Sequence, residues 1–128
     1  MHIGIARIYV NDVERAKAFY TEKLGWDVRH DQPMGPEMRW LSVAPPGAET
    51  AIVLTKGFDD WSPEKVGGSC GLALEVDDVF RVAEEFKSKG VEIIGGPAAE
   101  FFGGWARFKD SEGNEIGMHS PVPEGAKQ

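Results

Sequence analysis

A chain of 128 residues and 14.0 kDa is the size of one domain, or of two half-size modules sharing a core. Its 41% hydrophobic and 27% charged residues exclude disorder, and a chain this long folds without disulfides or a structural metal. A net charge of −7 argues against nucleic acid, no apolar run approaches the ~18 residues of a membrane span, and the single Cys70 fits a reducing cytoplasm, the expected location.

The first elements come in a clear order. Residues 3–10 alternate apolar and polar positions, as a half-buried strand does. Asp12 then caps a helix whose buried stripe is Val13, Ala16, Tyr20 and Leu24, with Gly25 as its left-handed stop. Strands follow at 26–30, 38–43 and 50–55, the last two joined by the turn Ala44-Pro45-Pro46-Gly47. The segment 57–69, with Pro63 and three glycines, reads as a linker.

The plan then repeats. A strand at 72–76 leads to Asp78, which caps a helix with the stripe Val79, Val82, Ala83 and Phe86 and a stop at Gly90. Strands follow at 91–94, 105–109 and 114–119, around the turn Asp110-Ser111-Glu112-Gly113. Val10-Asn11-Asp12-Val13-Glu14-Arg15-Ala16 aligns with Val76-Asp77-Asp78-Val79-Phe80-Arg81-Val82 at an offset of 66 residues. The offset falls to 64 in the last strands, because Ala48 and Glu49 lengthen the first hairpin. The expected fold is α+β: two paired β-α-β-β-β modules whose curved sheets surround one cavity. One domain spans 1–120, made of modules 1–56 and 70–120 with linker 57–69, and 121–128 is a polar tail.

Two segments carry a family resemblance. They are Tyr9-Val10-Asn11-Asp12 with Ala18-Phe19-Tyr20-Thr21-Glu22-Lys23-Leu24-Gly25-Trp26, and Phe108-Lys109-Asp110-Ser111-Glu112-Gly113-Asn114-Glu115-Ile116. With the internal repeat, they make the chain resemble the vicinal oxygen chelate superfamily of glyoxalase I, extradiol dioxygenases and bleomycin resistance proteins. That family commonly has Asp-Pro-Asp-Gly-Asn in the second segment, where this chain has Ser-Glu in the middle. The resemblance implies a glyoxalase/bleomycin-resistance fold. It leaves function open, because such scaffolds host metal enzymes and metal-free binders alike.

Metal-dependent members take ligands from the first and last strand of each module. Carried onto this chain, those positions are Ile5, Val53, Gly71 and Gly117. None offers an imidazole or carboxylate. No metal and no cofactor is therefore expected, and metal-dependent glyoxalase or dioxygenase activity is disfavoured.

Period-two alternation from these positions places Arg7, Tyr9, Glu75 and His119 on the same face, beside small apolar residues. Four Trp in the chain is about twice ordinary usage. Trp40, Trp61, Trp105, Phe101 and Phe102 complete the expected ligand-binding set with Arg7, Tyr9, Glu75 and His119. The two glycines make room for something flat, and the segment 101–104 is a candidate flap. Arg7 with Glu75 reads as an internal ion pair or as two separate ligand anchors. Cys70 reads as an inert thiol.

The leading expectation is a metal-free protein that binds a planar or aromatic small molecule, an aromatic or cationic one included, between its modules, and that pairs as a homodimer. The alternative is a superfamily enzyme. It would use His119 and Glu75 as catalytic acid and base, or a non-standard metal set of Glu75, Glu115 and His119. The minor alternative is an interaction module with a vestigial cavity.

Overall fold

The computed structural model describes residues 1–122; the expected polar tail therefore falls almost wholly outside the described residues. The chain divides into two units, Met1–Gly67 with Ser111–Gly113, and Gly68–Asp110 with the chain from Asn114 onward. Each carries the expected β-α-β-β-β order.

In the first unit, β1 (Ile5–Tyr9), β2 (Asp27–Pro33), β3 (Arg39–Ala44) and β4 (Ala51–Thr55) form one sheet in the order β1-β4-β3-β2. β1 and β4 run parallel and the other neighbours antiparallel. Alternation sends Ile8, Leu41, Val43, Ile52 and Leu54 to the buried face. Helix α1 (Val13–Ala18) lies against that face and contributes the fully buried Ala16. The Asp12 carboxylate accepts from the backbone N–H of Arg15 at 2.9 Å, the expected cap.

The helix does not run to Leu24 as its apolar stripe suggests. It widens at Phe19–Lys23 into one π turn, in which Leu24 donates to the Phe19 carbonyl. Thr21 donates its hydroxyl to the Lys17 carbonyl, a bond that competes with the regular ladder. The widened turn seats Phe19, Tyr20 and Trp26 together, with ring centroids 5.2 and 5.1 Å apart.

In the second unit, β5 (Gly68–Glu75), β6 (Ile93–Glu100), β7 (Gly103–Lys109) and β8 (Asn114–Ser120) form a sheet in the order β5-β8-β7-β6. Helix α2 (Val79–Ser88) buries Val79, Val82 and Ala83. The Asp78 side chain caps it by accepting from the N–H groups of Phe80 and Arg81. The buried apolar side chains of the sheet are Ala106, Phe108, Ile116 and Met118, and Phe86 meets Phe108 edge-on at 5.1 Å.

Three boundaries differ from the sequence expectation. β6 starts later than the expected 91–94 and continues through Gly95-Gly96-Pro97 to Glu100; Pro is tolerated there because β6 is the sheet edge. β5 begins at Gly68, inside the expected linker, and absorbs an irregularity between Ser69 and Ala73. Residues 101–104 are not a flap: Phe101 and Phe102 form the tight turn between β6 and β7, and Gly103-Gly104 open β7. Among the described residues, no helix is long and apolar enough to cross a membrane.

Candidate functional site

Each sheet has a second face, turned away from its helix; Arg7, Tyr9, Trp40, Glu75, Trp105 and His119 lie on sheet strands, Trp61 on a loop, and Phe101 and Phe102 in a turn. In the first unit, the cross-strand register Ile5↔Ala51, Arg7↔Val53 and Tyr9↔Thr55 lines β1 up with β4. Ser42↔Val53 and His30↔Ser42 extend the row across β3 and β2. Gly4, Ile5, Arg29, His30, Trp40, Ser42, Ala51 and Val53 enclose a cavity of about 270 Å³.

Two of these residues, Ile5 and Val53, are among the four positions that the family resemblance singles out as ligand slots. Ile5 is exposed and Val53 is buried, so hydrocarbon supplies both the lip and the floor. No carboxylate lines the cavity; its charged or ionisable groups are Arg29 and His30. Arg29 donates one guanidinium N–H to the Pro45 carbonyl at 3.0 Å.

At the Tyr9 end of this face, a loop is tied down at several points. Tyr9 donates its hydroxyl to the Asp59 carbonyl at 2.7 Å, and the Arg7 guanidinium meets the Asp59 carboxylate at 2.6 Å. Trp61 donates its indole N–H to the Val10 carbonyl at 2.8 Å, and Phe58 stacks on Trp40 at 6.2 Å. Asp59 and Asp60 both adopt left-handed backbone, at φ of 58° and 63°, a conformation that costs a non-glycine residue energy. These anchors hold the strained loop in place.

The second unit fills its own face with aromatic groups. A Cβ placed on Gly117 would fall 2.6 Å from Cζ2 of Trp105, so the indole lies directly on the glycine. The room expected there for a flat ligand is taken by this chain's own flat side chain. Phe102 meets Trp105 edge-on at 5.8 Å and stacks on the His119 ring at 6.2 Å. Phe101 is fully exposed and Phe102 is half exposed.

His119 is held at both nitrogens. Nδ1 lies 2.8 Å from the Glu75 carboxylate and Nε2 lies 2.7 Å from the Phe102 carbonyl oxygen. Two acceptors ask for two N–H donors, which only the imidazolium provides. The Phe102 carbonyl first, and then the Glu75 carboxylate, accordingly raise the pKa of His119 above its ordinary 6.5. In this arrangement neither nitrogen keeps a lone pair with which to take a proton.

The expected pairing of Arg7 with Glu75 is corrected: Arg7 pairs with Asp59, and Glu75 with His119. Glu115 is likewise engaged, by Arg107 at 3.0 Å. Cys70 donates its thiol to the Glu115 carbonyl, and burial pushes that thiol up in pKa, away from nucleophilic character.

The residues do not fit a metal. Ile5, Val53, Gly71 and Gly117 offer no donor atom. Gly71 sits at φ of 72°, where a larger residue is strained, and Gly117 is covered by Trp105. Among the described residues, no group of three or more His, Cys, Asp and Glu side chains is placed to hold a metal ion.

A larger hollow of about 610 Å³ opens at the start of α1, lined by Asp12, Glu14, Asp31, Arg39 and Lys56 among others. Glu14, Asp31 and Arg39 of this lining form one ion-pair network. Arg39 meets Glu14 and Asp31, Lys17 also meets Asp31, and the Arg39 contact holds the Asp31 carboxyl far below its usual range. Size therefore does not decide between the hollows; the chemistry of the lining does, and the smaller cavity is the one with an apolar body.

Of the sequence candidates, Trp40 lines the small cavity, together with the slot residues Ile5 and Val53. Trp105, Phe101, Phe102, His119 and Glu75 gather on the second unit. Arg7, Tyr9 and Trp61 brace the 58–61 loop. Ser42, Arg29 and His30 were missed as lining residues, although alternation from Trp40 along β3 leads directly to Ser42.

The profile of the Glyoxalase/Bleomycin resistance protein/Dioxygenase superfamily matches residues 2–118, nearly the whole chain. The chain belongs to this superfamily. Within it, the chain is 42% identical over 112 residues to the uncharacterized protein YetH of Bacillus subtilis (strain 168), covering 88% of this chain and 92% of that one. Among solved structures it is similar to TnmS3, an antibiotic binding protein from Streptomyces sp. CB03234. The identity is 38% and the TM-score 0.82, over 95% of this chain and 97% of that chain. A glyoxalase/bleomycin resistance protein from the same Streptomyces is also 38% identical, with a TM-score of 0.77, over 93% of this chain and all of that one. The two four-stranded sheets match these neighbours, so the glyoxalase/bleomycin-resistance fold read from the sequence holds.

Proposed function

We propose that this glyoxalase/bleomycin-resistance-like protein binds a planar aromatic small molecule without a metal, and that the cavity under Trp40 receives part of it. The observation that carries the reading is the cavity's lining: two ligand positions of the family, Ile5 and Val53, serve there as hydrocarbon walls beside an indole. A volume of about 270 Å³ lies just under the usual range for drug-sized ligands, which suits one or two fused rings rather than a whole large molecule. That TnmS3, at 38% identity, is an antibiotic binding protein supports the same reading.

Metal-free acid–base catalysis by His119 and Glu75 has less support. The pair is close, but the second nitrogen of His119 is occupied by the Phe102 carbonyl. The reading gives His119 a positioning part: it ties the 101–102 turn to the sheet. Single-chain assembly into a homodimer belongs to the proposal as well, and light scattering would measure it.

The test is thermal unfolding of chelator-treated protein with Ni²⁺, Zn²⁺, Mn²⁺ or naphthalene. A partner at a hundredfold excess over its Kd stabilises by about 2.7 kcal/mol. Naphthalene should raise the midpoint in the wild type and do so far less in Trp40→Ala. The three metals should leave it unchanged. A saturable rise with a metal, or none with the aromatic, would reverse the reading.

A further inference from the structure

Ser42 stands apart from every other described polar side chain. It is 2% exposed, and its hydroxyl is the one buried side-chain oxygen or nitrogen among the described residues that lacks a hydrogen-bond partner. Such groups are rare in folded proteins, and each calls for an explanation. The explanation is local. Ser42 lies in the middle of β3, between His30 and Val53 in the cross-strand row, on the same face as Trp40, and it lines the 270 Å³ cavity. The lining it shares with Ile5, Ala51 and Val53 offers it no bond, and neither Arg29 nor His30, the other polar side chains there, bonds its hydroxyl.

We propose that Ser42 is the specificity-determining residue of this cavity: it hydrogen-bonds one polar atom, a hydroxyl or carbonyl oxygen, on an otherwise apolar aromatic ring. The inference rests on the reading of the cavity as a ligand site and adds the chemistry of its occupant. The remaining polar groups in the lining narrow that chemistry. Arg29 brings N–H donors and positive charge, His30 adds an imidazole, and no carboxylate is present to receive a cation. The subsite therefore takes a neutral or weakly acidic aromatic oxygen compound. Despite the chain's net charge of −7, it does not take an aromatic ammonium ion.

Ser42→Ala separates a ligand contact from a structural role. If the hydroxyl has no partner within the protein, its removal leaves the thermal midpoint unchanged or higher, since a buried unpaired polar group is lost. Binding of three probes, β-naphthol, naphthalene and naphthylmethylammonium, is then measured by calorimetry on the full chain. The wild type should bind β-naphthol about tenfold tighter than naphthalene, as one well-made hydrogen bond to an otherwise unsatisfied group allows. The ammonium probe should bind weakest. Ser42→Ala should erase the preference by weakening β-naphthol alone.

Failure of the two readings looks different. If none of the probes binds the wild type, the cavity is not an aromatic site and the Ser42 inference falls with it. If naphthalene and β-naphthol bind equally, or Ser42→Ala keeps the preference, the cavity reading stands and the Ser42 inference is overturned. A midpoint lowered by several degrees in Ser42→Ala would also overturn it, by revealing a structural bond. Tightest binding of the ammonium probe would refute the assigned ligand class.

Discussion

Glu112 is the residue whose loss should be felt most. Its side chain is fully buried, and its carboxylate accepts from the backbone N–H groups of Asn11 and Asp12, both at 2.9 Å. It also accepts from Arg15, through Nε at 2.7 Å and Nη2 at 3.2 Å, and from the Ser111 hydroxyl at 3.1 Å. Removing one member of a fully buried pair typically costs about 3–5 kcal/mol. Arg15 is 56% exposed, however, so water takes over much of its solvation once the partner is gone. What remains is two backbone donors deprived of a charged acceptor, and Glu112→Ala should cost about 2–4 kcal/mol. For a chain of this length that is roughly 10 °C in Tm. Glu112→Gln keeps the shape but turns an amide N–H₂ toward donors, so it should recover less than half of the loss.

The same geometry fixes a pH dependence. Burial alone would raise the Glu112 carboxyl, but the hydrogen bonds from Arg15, Asp12 and Asn11 outweigh it and hold the group below its ordinary 4.5. A depressed folded pKa means that the stabilisation is complete above that ordinary value. It drains away as pH falls through the lower folded value, because the unfolded chain takes up the proton first. Scanning calorimetry of wild type and Glu112→Gln from neutral to acid pH measures both effects. Superimposable curves at neutral pH, or an unchanged gap between the two proteins down to strongly acid pH, would refute the assignment.

Three other predictions follow from single contacts. Gly117→Ala pushes a methyl group into the Trp105 indole, so it should destabilise by about 1–3 kcal/mol and shift the Trp emission maximum; an unperturbed spectrum would show that the indole lies elsewhere. The raised pKa of His119 means that its tie favours the folded state fully below 6.5 and is lost as pH rises through the folded value; Glu75→Gln should lower that value in an NMR titration, and an identical titration curve would show that the pair does not form. Trp61→Phe removes the bond to the Val10 carbonyl and should loosen the 58–61 loop, visible as faster amide exchange there with little change in the exchange of β3.

Much of this was legible in the residues. Two Asp caps, two Gly stops and the 66-residue offset define the repeat, because capping and periodicity are local properties that a chain cannot hide. The faces carrying Arg7, Tyr9, Glu75 and His119 follow from alternation alone. Pairing across strands did not follow. Arg7 finds Asp59 because Asp59 and Asp60 turn the chain through left-handed backbone, and such a turn at two consecutive non-glycine residues leaves no mark in composition. Trp105 reaches Gly117 only because of register: Trp105 lies opposite His119, so Gly117 is its diagonal neighbour. Ser42 escaped for a different reason. Alternation places it on the Trp40 face of β3, but a serine in a strand gives no sign of whether its hydroxyl has a partner.

The four positions expected from the resemblance to be ligand slots, Ile5, Val53, Gly71 and Gly117, have different backbone settings in the two units. In the first unit, Ile5 lies exposed on regular strand and Val53 lines the cavity, and neither has the left-handed backbone that would strain a side chain. In the second unit the backbone itself is committed. Gly71 holds a left-handed kink where β5 departs from regular pairing, and any side chain there adds strain. Gly117 holds the indole of Trp105, and any Cβ there must displace it. Changing side chains alone would thus restore donors to the first unit but not to the second. There a strand would have to be straightened and a tryptophan replaced as well. A metal set at these four positions would therefore take more than one substitution per ligand.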